Sequence, residues 1–191
     1  MIGKQEITRL FGPQLARIKD AGLRDQVVAV WVEGCRRGGY TSVAQLQAMP
    51  FTLLTNARGV NFVEHTVAVT EGALALAEAQ AKAYRALPYK IDTDRLIAGG
   101  LLHDVGKLLE IEPDGAGGYR KSHLGKCARH PISGAILVGA AGLPDEVVNI
   151  VACHAKEGEG RPQVIETVFI HQADFATFDP LVMLEKGTLI Q

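Results

Sequence analysis

Six histidines occur in this 191-residue chain, His65, His103, His123, His130, His154 and His171, and none lies before residue 65. Imidazole serves as metal ligand, general base or proton carrier, so their placement says where chemistry is to be sought. The pair His103-Asp104 stands out by its surroundings. Leu101 and Leu102 precede it on an apolar stretch, which puts an imidazole and a carboxylate at the buried end of a helix. Burying such groups is costly unless something pairs with them. A divalent cation would supply that pairing. Val105, Gly106 and Lys107 then break the helix and return a positive charge to the same neighbourhood.

Other donors also fall on apolar segments. His65 lies in NFVEHTVAVTEGALALA, His130 precedes Pro131 and the run ISGAILVGAA, His154 ends EVVNIVACH, and Asp174 lies in VFIHQADFATF. As unrelated buried polar groups, each would need its own hydrogen-bond solution. A closed helical core could instead gather them around metal, as bundles do. Imidazole mixed with carboxylate suits Fe, Mn, Co, Ni or Zn rather than Ca or a Mg-only site. His171, three residues before Asp174, shares its helix face and reads as core or support. Arg120, Lys121, His123, Lys126 and Arg129 form a basic loop just before His130, either solvated or a phosphate-steering lip.

The elements that must position these groups are helical. Val67, Leu74 and Ala81 recur at sevens, period-two alternation is scarce, and hairpin signals are nearly absent, Asp114-Gly115 excepted. The chain reads as all-α. Ser42 with Gln45 and Asn61 with Glu64 fit capping boxes, and Asp92 can cap a helix reaching about residue 104. Pro131 and Pro144 suit first turns, while Gly106 and Gly142 suit helix stops. The expected map has two or three helices over 4–48, then helices at about 61–85, 92–104, 131–141, 144–155 and 163–178. Residues 113–126 read as a loop. The first 55 residues carry no obvious chemistry and read as packing or self-association helices, which leaves a homo-oligomer open.

Composition narrows the function classes. Lys plus Arg is 20 and Asp plus Glu is 21, a net charge of −1, which argues against dependence on bulk nucleic-acid or anionic-membrane electrostatics. No stretch reaches the ~18 apolar residues of a spanning helix, and no signal-peptide pattern opens the chain. Cys35, Cys127 and Cys153 are odd in number and lack CxxC spacing, so they read as small buried hydrophobes in a reducing, cytoplasmic setting, without a thiolate ligand. Cys153, beside His154, could still support that ligand from outside.

The ordered set His65, His103-Asp104 within HDVGK, His130 within HPISGAILV, His154, and Asp174 within ADFATF resembles the HD-domain metal-dependent phosphohydrolase superfamily. The resemblance implies an HD-domain core of about five helices over residues 58–180, with 1–57 as an N-terminal helical extension and 181–191 as a C-terminal tail. It implies hydrolysis of a phosphate ester, often in a nucleotide or cyclic nucleotide, by a metal-activated water. Carried over, His65, His103, Asp104 and Asp174 would hold one divalent metal, and His130 and His154, with Asp104 as bridge, a second. Asp104 and Lys107 would be catalytic, and Lys107, with Arg129 from the basic loop, would contact substrate. The stretch RGVNFVEHT resembles the arginine-to-EH motif of nucleotidase-like members, which would make Arg58 a phosphate contact and Glu64 a site-edge residue. The chain departs from the HD-GYP branch: it reads CHAKEGEGRP where that branch carries HHExxDGxGYP, so Cys153 and Arg161 replace a His and a Tyr, which points away from cyclic di-GMP. Relatives in the superfamily that hold two irons to activate oxygen, and non-catalytic nucleotide-binding signalling modules, are the alternative readings.

Overall fold

Asn61 starts the helix that carries the first candidate ligand. Its side chain accepts hydrogen bonds from the Val63 and Glu64 amides, each at 3.0 Å, and Glu64 accepts one back from the Asn61 amide. Ser42 with Gln45 makes the same reciprocal box, and Asp92 caps the helix leading to His103. Each satisfies amides that a helix start leaves orphaned. The structure, a computed structural model, describes residues 1–158 and 161–190. Glu159 and Gly160, within the CHAKEGEGRP stretch, and Gln191 lie outside the described residues.

The helices are α1 (Lys4–Leu10), α2 (Gly12–Leu15), α3 (Ala21–Gly38), α4 (Val43–Ala48), α5 (Phe62–Ala83), α6 (Thr93–Leu102), α7 (Lys107–Glu110), α8 (His123–Cys127), α9 (His130–Ala140), α10 (Asp145–Cys153) and α11 (Ile165–Lys186). A one-turn 3-10 helix covers Lys156–Gly158. The fold is all-α apart from one small hairpin. β1 (Ile111–Pro113) pairs antiparallel with β2 (Tyr119–Lys121), Ile111 opposite Lys121. The hairpin and α8 occupy the stretch expected to be loop. Asp114 closes the turn by accepting from the Ala116 and Gly118 amides, and Ser122 caps α8 through the Gly125 amide.

α5 packs against both α6 and α11, and α10 against α9 and α6, so the candidate ligands lie where these helices meet. Two close approaches make that possible. A Cβ on Gly100 would stand 2.7 Å from the Thr70 hydroxyl and 3.0 Å from its Cα, so α5 and α6 touch at backbone range. Gly106 lies in the break between α6 and α7, as expected, but its φ of −63° is not left-handed. Its missing Cβ instead leaves room for α9, because that atom would stand 2.1 Å from the His130 carbonyl oxygen. Gly142, with φ of 74°, does end a helix as expected.

The N-terminal helices share one hydrophobic core with the rest, from Ile7, Phe11 and Trp31 through Leu101 and Ile150. Trp31 is fully buried between Phe11 and Phe62, at ring separations of 4.7 and 5.3 Å. Its indole N–H donates to the Leu101 carbonyl at 2.9 Å, two residues before His103. Each large buried apolar side chain here contributes roughly 1.5–3 kcal/mol. Residues 1–57 thus brace the end of α6. The helix expected to stop near 178 continues through Pro180 to Lys186, where Gly187 (φ 67°) caps it, so residues 181–186 of the expected tail are helical.

Gly106→Ala tests the close approach of α9. The added methyl must push α9 away from the α6–α7 turn, and unfolding free energy should fall by ~1–3 kcal/mol, the usual cost of overpacking. Chemical denaturation reads this directly. A variant as stable as the parent would show that α9 shifts freely.

Candidate metal centre

Asp104 lies in the turn after α6 and is 1% exposed. Its two oxygens face two different groups of side chains. Oδ2 is 3.1 Å from His65 Nε2 on α5 and 3.4 Å from His103 Nε2. Asp174 on α11 joins that side, its Oδ1 3.2 Å from His65 Nε2. Oδ1 is 3.2 Å from His130 Nε2, at the start of α9, and 3.6 Å from His154 Nε2, just after α10. The donor atoms of His65, His103 and Asp104 lie within 4.8 Å of one another, and so do those of Asp104, His130 and His154. The structure therefore brings together all six residues named as candidate metal ligands.

Each imidazole is turned by a hydrogen bond on its other nitrogen. His103 Nδ1 donates to the Gly100 carbonyl at 2.6 Å, and His154 Nδ1 to that of Val151 at 2.8 Å. Thr177 spends its hydroxyl proton on the Asp174 carbonyl, which leaves its oxygen to accept from His65 Nδ1 at 3.2 Å. In every case Nε2 is left for the interior. Nε2 of His65, His103 and His154, and Oδ1 of Asp104, are buried with no hydrogen-bond partner among the described residues. Polar atoms left so in a protein interior call for an explanation. Divalent transition metals fit: the donors are imidazole and carboxylate, and the protons sit on the outward nitrogens.

The protonation states agree with ligation. Burial opposes ionisation of Asp104, but the Lys107 ammonium beside it holds the carboxyl well below its ordinary range. His130 is pushed down to about 4 by burial, against the pull of Asp104 and Glu110, so its ring is neutral at pH 7.

A cavity of about 350 Å³ opens beside the cluster. Lys107, Lys121, Arg129, His130, Lys156, Glu157 and Asp174 form its polar walls, and Phe51, Leu53, Phe175 and Phe178 an apolar one. Lys107 Nζ lies 2.5 Å from Asp104 Oδ2 and 5.5 Å from the centre of the Phe51 ring. Phe51 itself stacks on His65, with ring centres 4.2 Å apart. The first 55 residues thus contribute a wall of the site, contrary to the expectation that they carry no chemistry. Nothing in the sequence marks Phe51, an ordinary apolar residue after a proline.

The other candidates fall in different places. Arg58 is exposed in a left-handed backbone conformation (φ 52°) and lines a separate depression with Asn56, Gly59 and Asn61. Its position does not support a role as phosphate contact in this cavity. Glu64 is exposed and caps its own helix rather than edging the site. The basic loop divides: Lys121 and Arg129 reach the cavity, Arg120 pairs with Glu112, and His123 and Lys126 are exposed away from it. Cys127 is exposed, not buried, and Cys153 meets Asn149. His171 donates to the His154 carbonyl at 2.6 Å and so supports that ligand's backbone. Glu110 escaped the sequence reading. It is buried, pairs with Arg129 and His130, and is held down at about 2 because these partners outweigh the burial that opposes its charge. A lone acid within the apolar run LLEI was its only sign.

Comparison with known proteins agrees with this geometry. A family model described as HD domain matches residues 62–176. The chain is 30% identical over 116 residues to Ribonuclease Y of Pseudothermotoga lettingae, covering 61% of this chain and 18% of that protein. It is 27% identical over 157 residues to Ribonuclease Y of Fervidobacterium nodosum, covering 82% and 24%. It is 31% identical over 115 residues to the dihydroneopterin 2',3'-cyclic phosphate phosphodiesterase of Methanocaldococcus jannaschii, covering 60% and 45%. The chain spans less than half the length of each of these relatives. No solved structure matches it significantly.

Two metal positions sharing Asp104 should separate by mutation. His103→Ala should empty the position on the Oδ2 side, and His130→Ala mainly the one on the Oδ1 side, as elemental analysis of reconstituted protein would show. Manganese or zinc at a hundredfold its Kd should stabilise the parent by ~2.7 kcal/mol, and Asp104→Ala should abolish that gain in thermal melts. Equal metal loss in both histidine variants would mean that the two positions are not distinct.

Proposed function

The chain belongs to the HD-domain family, and from that membership we propose that it is a metal-dependent phosphohydrolase acting on a small phosphorylated compound, a nucleotide or cyclic nucleotide. The observation that carries this reading is the convergence of four buried Nε2 atoms on the two oxygens of Asp104, beside a largely apolar cavity into which Lys107, Lys121 and Arg129 reach. His65, His103, Asp104 and Asp174 would hold one ion, and Asp104, His130 and His154 a second, drawn from Fe, Mn, Co, Ni or Zn. Bound there, such ions act as Lewis acids and acidify a water toward neutral pH.

The chain's own residues account for the rest. Asp104, with one oxygen toward each group of histidines, holds the two positions together. Lys107 stands on the cavity wall next to Asp104, where its ammonium can receive a phosphoryl oxygen and stabilise charge that grows as the ester bond lengthens. Arg129 pairs through Nε with Glu110 and through Nη1 with Glu157, which holds the guanidinium at the wall as a second phosphate contact. Phe51, Phe175 and Phe178 keep water off one side and offer ring faces to a flat organic group. A cavity of about 350 Å³ is at the lower end of small-molecule sites. That size, and the likeness to a protein named for a cyclic phosphate diester, support a mononucleotide-sized substrate. Lys107 favours phosphate over oxygen activation, which needs no such cation.

Metal-reconstituted protein should be screened against nucleoside monophosphates, 2',3'- and 3',5'-cyclic nucleotides and a generic phosphodiester. Lys107→Ala should keep its metal, because Lys107 is a cation and not a ligand, yet lose turnover on the order of 10²-fold, the effect of deleting one charge-stabilising donor. A folded, metal-replete variant with unchanged turnover would remove Lys107 from the chemistry. Absence of hydrolysis across the screen, with oxygen uptake by the iron-loaded protein, would replace the hydrolase reading.

A further inference from the structure

Glu110 ends α7 and is 4% exposed. Its Oε2 accepts the His130 backbone N–H at 2.7 Å and lies 2.8 Å from His130 Nδ1. Its Oε1 lies 3.0 Å from Arg129 Nε and 3.6 Å from Lys121 Nζ. Four groups from β2 and the start of α9 thus close on one carboxylate. Such a carboxylate can only accept hydrogen bonds, so the contact at 2.8 Å requires the proton on Nδ1. Nε2, 3.2 Å from Asp104 Oδ1, then keeps its lone pair toward the centre. His103 and His154 are turned by backbone carbonyls and His65 by a threonine hydroxyl. Among the four converging imidazoles, His130 alone is turned by an acidic side chain.

We propose that Glu110 is a positioning residue for His130, and that it sets the affinity of the metal position shared by His130, His154 and Asp104. The proposal rests on the metal-centre reading above. A charged acceptor on Nδ1 fixes the tautomer and the ring plane, and it pushes electron density toward Nε2, which makes that nitrogen a stronger ligand. The same carboxylate holds Arg129 and Lys121 at the cavity wall. One buried charge therefore joins the second metal position to the cationic side of the cavity. The other position, built on His65 and His103, has no such partner and should not feel its loss.

Two measurements test this. In the metal-free parent at neutral pH, long-range 1H–15N correlation spectra should show His130 protonated on Nδ1 and bare on Nε2. Glu110→Gln keeps the shape but removes the charge, and Glu110→Ala removes both. In each, zinc titration should show one position weakened by roughly 10–100-fold, the usual cost of losing an outer partner of a ligand histidine. The other position should keep its affinity, and in Glu110→Ala, which lacks any acceptor for Nδ1, His130 should show mixed tautomers. Nδ1 unprotonated in the parent, or a folded Glu110→Gln protein that binds both ions as the parent does, would overturn the proposal. If the variants fail to fold, the parent's spectrum still decides. Neither readout depends on turnover, so a protein that hydrolyses nothing in the screen leaves this test intact.

Discussion

A single carboxylate with almost no solvent contact organises this molecule. Asp104 is ionised at 1% exposure, and a charge so placed must be answered from close by. Lys107 answers it at 2.5 Å, and four imidazoles stand around it with Nε2 turned inward. The arrangement is asymmetric in a useful way. Each carboxylate oxygen faces a different pair of histidines. Several ligand atoms in this shell have no hydrogen-bond partner among the described residues. Such a centre is poor at stabilising a fold by itself and suited to holding ions.

The architecture around it exists to bring five segments within reach of that carboxylate. Backbone proximity does much of the work. Where Gly100 meets Thr70, α5 and α6 approach closely enough to set His65 beside His103. Where Gly106 meets the His130 carbonyl, α9 presses on the turn that carries Asp104. Trp31 ties the N-terminal helices to the last turn of α6 through the Leu101 carbonyl. The apolar core fixes the helix ends, and the helix ends fix the ligands. Outer hydrogen bonds to Gly100, Val151, Thr177 and Glu110 then fix ring orientation.

The cavity beside the centre draws its two characters from distant parts of the chain. Cations come from the HDVGK turn, from β2 and from the segment before α9. Aromatic rings come from Phe51 near the N-terminus and from Phe175 and Phe178 on α11. Phe51 also stacks on His65, so the apolar wall and the metal centre are one packed unit.

The amino-acid sequence by itself determined the local facts. Helical period, the caps at Ser42, Asn61 and Asp92, and the stop at Gly142 depend on residues within a few positions of one another. So does the case for His103-Asp104, which rests on the apolar residues just before it. The six donors were legible because polar groups on apolar faces are costly unless gathered, and their order resembled a known motif set. Tertiary structure alone decided the rest. Glu110 reaches His130 across 20 positions, Phe51 reaches His65 across a connector, and Arg58, beside the motif in sequence, lies outside the cavity. The hairpin at 111–121 and the length of α11 were likewise set by the packing and capping around them. Side-chain partnership over such spans depends on how helices cross, and residue spacing does not encode that crossing.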